Sequence, residues 1–151
     1  MFKCIKFALS IALVLAFSTS RADEVPQTLD QAFFALDHQL SWQQRELFKS
    51  EPESKAVTNA HMGLGMYIRN TWFRAGHSRL VDQLHAAGAR SLDDMSSILL
   101  TPYWRHLNEK PLDVAGQGAC YAKWWKEQMR LKDEAIASGK NSYGTPKFDC
   151  P

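Results

Sequence analysis

Residues 61–72 read HMGLGMYIRNTW, and the fold turns on how this stretch is read. It begins like a loop, with Gly63 and Gly65 two apart, and ends like a buried helix that carries an arginine and an asparagine. Projected at about 100° per residue, Leu64, Tyr67, Ile68, Thr71 and Trp72 share one face, with Met62, Met66 and Phe73 opposite. A helix that is apolar on two sides is expected to be buried on two sides. His61, Gly65 and Arg69 run between those faces at i, i+4 and i+8, and Gly65 leaves room for a close neighbour. A buried arginine needs a carboxylate, because its rigid fork of five donors is costly to desolvate unpaired. Asp93 and Asp94 are the nearest uncommitted acids on another well-patterned helix. The expectation is that Arg69 pairs with one of them, so that removing it costs about 3–5 kcal/mol. Asn70 is expected to satisfy backbone groups at a loop or helix end.

Outward from this segment, helical periods recur and strand alternation is absent. TLDQAFFALDHQL opens with Thr28 and has Gln31 three residues on, and SWQQRELF repeats the device with Ser41 and Gln44. Two short helices, 29–39 and 42–49, are predicted to meet at a corner. KSEPESK reads as a loop around Pro52, and FRAGHS as a turn. Leu80, Val81 and Leu84 pattern a short helix that stops at Gly88. Ser91 caps the next helix, with Asp93 and Asp94 in the first turn where carboxylates suit the dipole, and Pro102 is expected to kink it or start a fresh turn. A long helix is predicted over 112–137, followed by an irregular tail that only Cys150 gives a reason to be ordered. The class is all-α: a compact bundle of five or six helices with a disulfide-pinned C-terminal tail.

The N-terminus reads as a secretory leader. MFKCIK supplies Lys3 and Lys6, FALSIALVLAF is an apolar run too short for an anchor, and Ser20 and Ala22 sit where a cleavage site wants small residues. Cleavage is expected after Ala22, leaving one domain over 23–151 in the periplasm or outside the cell. Removing residues 1–22 takes three of the 18 basic residues and none of the 16 acidic ones, so the mature balance is 15 to 16, a formal net charge of −1. No basic patch points to nucleic acid, and there is no second apolar run for a membrane. Cys4 leaves with the leader. Cys120 and Cys150 remain, and in an exported chain such a pair predicts a disulfide.

Signals for chemistry are weak. None of His38, His61, His77, His85 and His106 pairs at ligand spacing on one helix face, so neither a metal nor another cofactor is expected. Asp93 and Asp94 are neighbours that point apart on a helix, and no serine has a nucleophile-elbow context. Acid–base work would need His61, Arg69 and Asp94 gathered by the fold.

The runs GLGMYIRNTW (63–72) and DDMS (93–96) resemble those of an uncharacterised bacterial all-helical family, a domain of unknown function with GxGxxIRNxW and DDMS runs. The matched positions are Gly63, Gly65, Ile68, Arg69, Asn70, Trp72, Asp93, Asp94, Met95 and Ser96, and the resemblance spans roughly 28–128. Where the family continues Trp-Gly-Leu, this chain has Trp72-Phe73-Arg74. The resemblance implies a helical domain and no reaction.

The expected function is therefore non-catalytic binding of a protein partner in the periplasm, as an inhibitor or immunity-type protein. Trp104, Arg105, Trp125 and Arg130, at or off the edges of their apolar stripes, are the expected contacts. The alternatives are a small periplasmic enzyme with a His61/Arg69/Asp94 site, or a structural envelope accessory protein.

Overall fold

The computed structural model describes residues 24–74, 78–148 and 150, so the expected leader and His77 lie outside it. Among the described residues all regular structure is helical: α1 (Leu29–Gln39), α2 (Trp42–Ser50), α3 (Glu53–Ala60), α4 (Met66–Ile68), α5 (Arg79–Ala87), α6 (Leu92–Leu107) and α7 (Val114–Ala137). α3 and α4 belong to one continuous rod, Glu53 to Phe73, in which π-helical turns occupy His61–Gly65 and Arg69–Phe73. Six helical rods result among the described residues.

Local chemistry sets the boundaries. Thr28 accepts from the Gln31 amide to start α1, and Ser41 and Gln44 form a reciprocal capping box on α2. The segment expected as a loop is helical from Glu53. Pro52 forces Glu51 into extended backbone and ends α2, then its carbonyl accepts from the Ala56 amide as the first bond of α3. α6 runs through Pro102 without ending, and Gly88 closes α5 at φ +123°.

The rod buries one side rather than two. Ile68, Trp72 and Phe73 are buried, whereas Met62 and Met66 are exposed. The cause is the second π turn, in which the Arg74 amide bonds to the Arg69 carbonyl five residues back. A turn widened by one residue rotates Phe73 toward the buried side that carries Ile68, where a uniform 3.6-residue projection does not place it. α6 is the centre of the core. Met95, Ile98, Leu99, Leu100 and Tyr103 are all at most 1 % exposed and pack with Phe33 and Leu36 of α1 and with the rod. The Tyr103 hydroxyl donates to Asp37 at 2.9 Å, and burial, then this bond, push its pKa far up.

α7 packs against α5 and α6. Its contact with α5 is backbone on backbone: a Cβ built on Gly118 would lie 1.7 Å from the Ala87 carbonyl oxygen, and one on Gly88 would lie 2.4 Å from the Gly118 carbonyl oxygen. Cys120 of α7 is bonded to Cys150, Cα atoms 5.7 Å apart, which fixes the tail to the helix as expected. No helix among the described residues is long and apolar enough to cross a membrane.

Candidate functional site

The first turn of α6 organises the region. Ser91 and Asp94 form a capping box, Asp94 returning its carboxylate to the Ser91 amide at 3.0 Å. The same oxygen, Oδ2, also accepts from the Arg90 amide at 2.8 Å and from the Trp125 indole N–H of α7 at 2.8 Å. Asp94 is 8 % exposed, and its second oxygen, Oδ1, accepts no hydrogen bond among the described residues. Asp94 thus ends one helix and holds another against it, with one carboxylate oxygen uncommitted.

The neighbouring Asp93 is the partner of Arg69. Arg69 Nε lies 3.1 Å from Asp93 Oδ1, and Nη1 donates to the Ser96 hydroxyl at 3.0 Å, which in turn donates to the Asp93 carbonyl. His61 Nε2 is 3.7 Å from the same Asp93 oxygen. Gly65 makes room for this bridge: a Cβ there would meet Arg69 Nη1 at 3.0 Å. The GLGMYIRN and DDMS runs therefore meet in space through Arg69, Asp93 and Ser96. Asn70 is exposed and its side chain makes no hydrogen bond among the described residues, so the expected backbone bracing by Asn70 is not seen: it points away from the buried side of its π turn.

Because the Asp93 side chain is 64 % exposed while Arg69 is 11 % exposed, the bridge is only half buried. Removing Arg69 leaves a carboxylate that water can solvate, so the full penalty of an orphaned buried charge does not apply. Arg69→Ala is expected to reduce unfolding free energy by about 2–3 kcal/mol, below the range for a fully buried pair, as read by urea denaturation. No change in stability would assign Arg69 to ligand binding rather than to the fold.

Beside this bridge a groove of about 830 Å³ opens between α3 with its first π turn, α6 and α7. Met62, 68 % exposed, stands at one wall with His61. Asp94 and Ser97 line the α6 side, Tyr121 and Trp124 the α7 side, and Cys150 brings the tail to its edge. Burial raises the Tyr121 pKa, its hydrogen bond with Ser97 lowers it, and the Asp94 charge raises it again, so the phenol is held neutral beside the carboxylate. Trp124 stands edge-on to Trp125, ring centres 5.2 Å apart. His61 and Asp94 share this groove, whereas Arg69 is turned to Asp93 and Ser96, outside the groove's lining.

The expected partner contacts fare differently from one another. Trp104 is only 5 % exposed, with its indole N–H on the Glu51 carbonyl at 3.0 Å and Lys110 over its ring, so it is a core residue and not an open contact. Arg105 ties α6 to Glu53 at 2.6 Å and to the Leu112 carbonyl at 3.1 Å. Trp125 is half-buried and holds Asp94. Arg130 is exposed but paired along α7 with Glu127 and Glu134, which raise its pKa further. The aromatic pair that lines the groove, Tyr121 and Trp124, was not among the expected contacts. Nothing in sequence tells which of Trp124 and Trp125 faces a groove until α6 is placed. Among the described residues no three His, Cys, Asp or Glu side chains gather as a metal ion requires.

No curated protein and no solved structure matches the chain. A family model does match, over residues 25–107, from just before α1 to the last residue of α6. That region contains the Arg69–Asp93 bridge and two sides of the groove, while α7 and the disulfide lie beyond it. With more than half of its length matched, the chain belongs to the family described as a domain of unknown function (DUF6794).

Proposed function

We propose that the mature chain is an exported, non-catalytic protein that binds a protein partner in the periplasm or beyond it, as an inhibitor or immunity-type protein does. The observation that carries this reading is the groove flanked by an exposed Met62 and by Tyr121 and Trp124. Aromatic and methionine side chains of this kind are what protein interfaces use as anchors. The disulfide supports export, since such bonds persist in oxidising compartments. The neighbouring polar groups support binding over catalysis: Arg69 is occupied by Asp93 and Ser96, and three donors occupy Asp94 Oδ2. The contacts move accordingly from Trp104 and Trp125 to Met62, Tyr121 and Trp124.

The test is affinity capture from periplasmic extract with the full-length chain expressed under its own leader. Met62→Glu combined with Trp124→Ala is expected to weaken capture by about tenfold or more, equivalent to about 1.4 kcal/mol, with unchanged far-ultraviolet dichroism. The intact mass of the bait should begin at Asp23. A mass retaining MFKCIK would contradict export, and undiminished capture would contradict the groove. Turnover of a substrate that His61→Ala abolishes would replace the reading with the enzyme one, which the presence of His61 and Asp94 in one groove keeps specific.

A further inference from the structure

The groove holds a carboxylate without a counterion. Asp94 is 8 % exposed and forms no ion pair among the described residues. Its three donors all meet Oδ2, so the capping role uses one oxygen only. Oδ1 has no partner, and the residue lines the groove. A carboxylate so far removed from water is stabilised by any cation that reaches it. The basic side chains that line the groove already have partners: Lys55 Nζ is 3.2 Å from Glu51, and His61 faces Asp93 at 3.7 Å. The walls beside Asp94 are Tyr121, with Ser97 on its hydroxyl, and Trp124. An acceptor oxygen in a groove lined by aromatic side chains suits a planar guanidinium, which donates to an oxygen and stacks on rings.

We propose that the groove seats an arginine side chain of the partner protein, donating to Asp94 Oδ1 and stacked on Trp124. This rests on the protein-binding reading above and names the chemistry of the partner. The carboxylate comes from the matched family region, whereas Tyr121 and Trp124 come from α7 beyond it. A chain with the same α6 turn and a different seventh helix would keep the charge and lose the stacking wall.

The test uses the mature oxidised protein and N-acetyl-arginine methylamide, with the citrulline analogue as its neutral isostere. The readout is the Trp125 indole N–H resonance, which sits on the same carboxylate. A saturable shift is expected with the arginine compound and none with citrulline. Asp94→Asn keeps an oxygen for the three donors and turns an amide toward the groove. It should weaken the arginine compound by about tenfold or more with the fold intact. Trp124→Ala should weaken it severalfold, and this variant decides the matter if Asp94→Asn does not fold. Equal shifts for the two compounds, or affinity unchanged in the variant that folds, would overturn the proposal. A partner captured equally by wild type and Asp94→Asn would overturn it too, leaving protein binding in place. Saturation by the arginine compound without any captured partner would support the cation site and remove the protein-binding reading.

Discussion

Gly118→Ala is expected to lower stability by about 3 kcal/mol or more, because the added methyl has nowhere to go. Its Cβ would lie 1.7 Å from the Ala87 carbonyl oxygen and 2.5 Å from the carbonyl carbon. Both atoms are backbone, so no side chain can swing aside. Relief requires α5 and α7 to separate, and Gly88, already at φ +123° with Gly118 beneath it, cannot absorb the shift. For a chain of this size the melting temperature should fall by roughly 10 °C. Thermal unfolding followed by dichroism measures it, and a change of only a degree or two would mean that the two helices do not meet at this glycine. Since α7 carries Tyr121 and Trp124, the same variant should widen the groove.

Removing the disulfide with Cys120→Ser and Cys150→Ser is expected to cost about 3–4 kcal/mol, from loop-closure entropy across its 30-residue separation. Among the described residues the tail has few other holds: Pro146 is buried, Lys123 sits over the Phe148 ring at 4.9 Å, and Gln128 reaches the Gly144 carbonyl at 3.5 Å. Trypsin should therefore cut the variant first at Lys140 and Lys147, while the oxidised protein resists there. Identical cleavage and identical denaturation midpoints would show that the tail is held by its packing alone.

How far these features could be read in the sequence depends on how local their causes are. The Ser41–Gln44 box is a matter of four residues, and its spacing announces it. The Ser91–Asp94 box uses aspartate where the usual pattern has glutamate or glutamine, so Asp94 reads only as a charge near a helix dipole. The disulfide follows from a compartment argument and a pair of cysteines. Arg69's need of a carboxylate follows from desolvation; the choice of Asp93 over Asp94 does not, because it depends on Trp125 having already claimed Asp94. The π turns leave no local mark, yet the second of them brings Phe73 to the buried side. Gly118 looks like one more small residue in a long helix until α5 arrives beside it. Trp104 seemed free because it lies off its helix's stripe, but Glu51 of the α2–α3 corner covers that side. The π turns and the Ser91–Asp94 box apart, each miss is a tertiary contact that local periodicity cannot encode.

The measurement that bears most directly on the central claim is hydrogen–deuterium exchange of the captured complex. If the groove receives the partner, exchange should slow along residues 54–62 of the rod and 121–124 of α7. The face of α1 and α2 with exposed Phe34, Trp42 and Leu47 should be unchanged. Protection confined to α1 and α2, with the groove exchanging as in the free protein, would contradict the account.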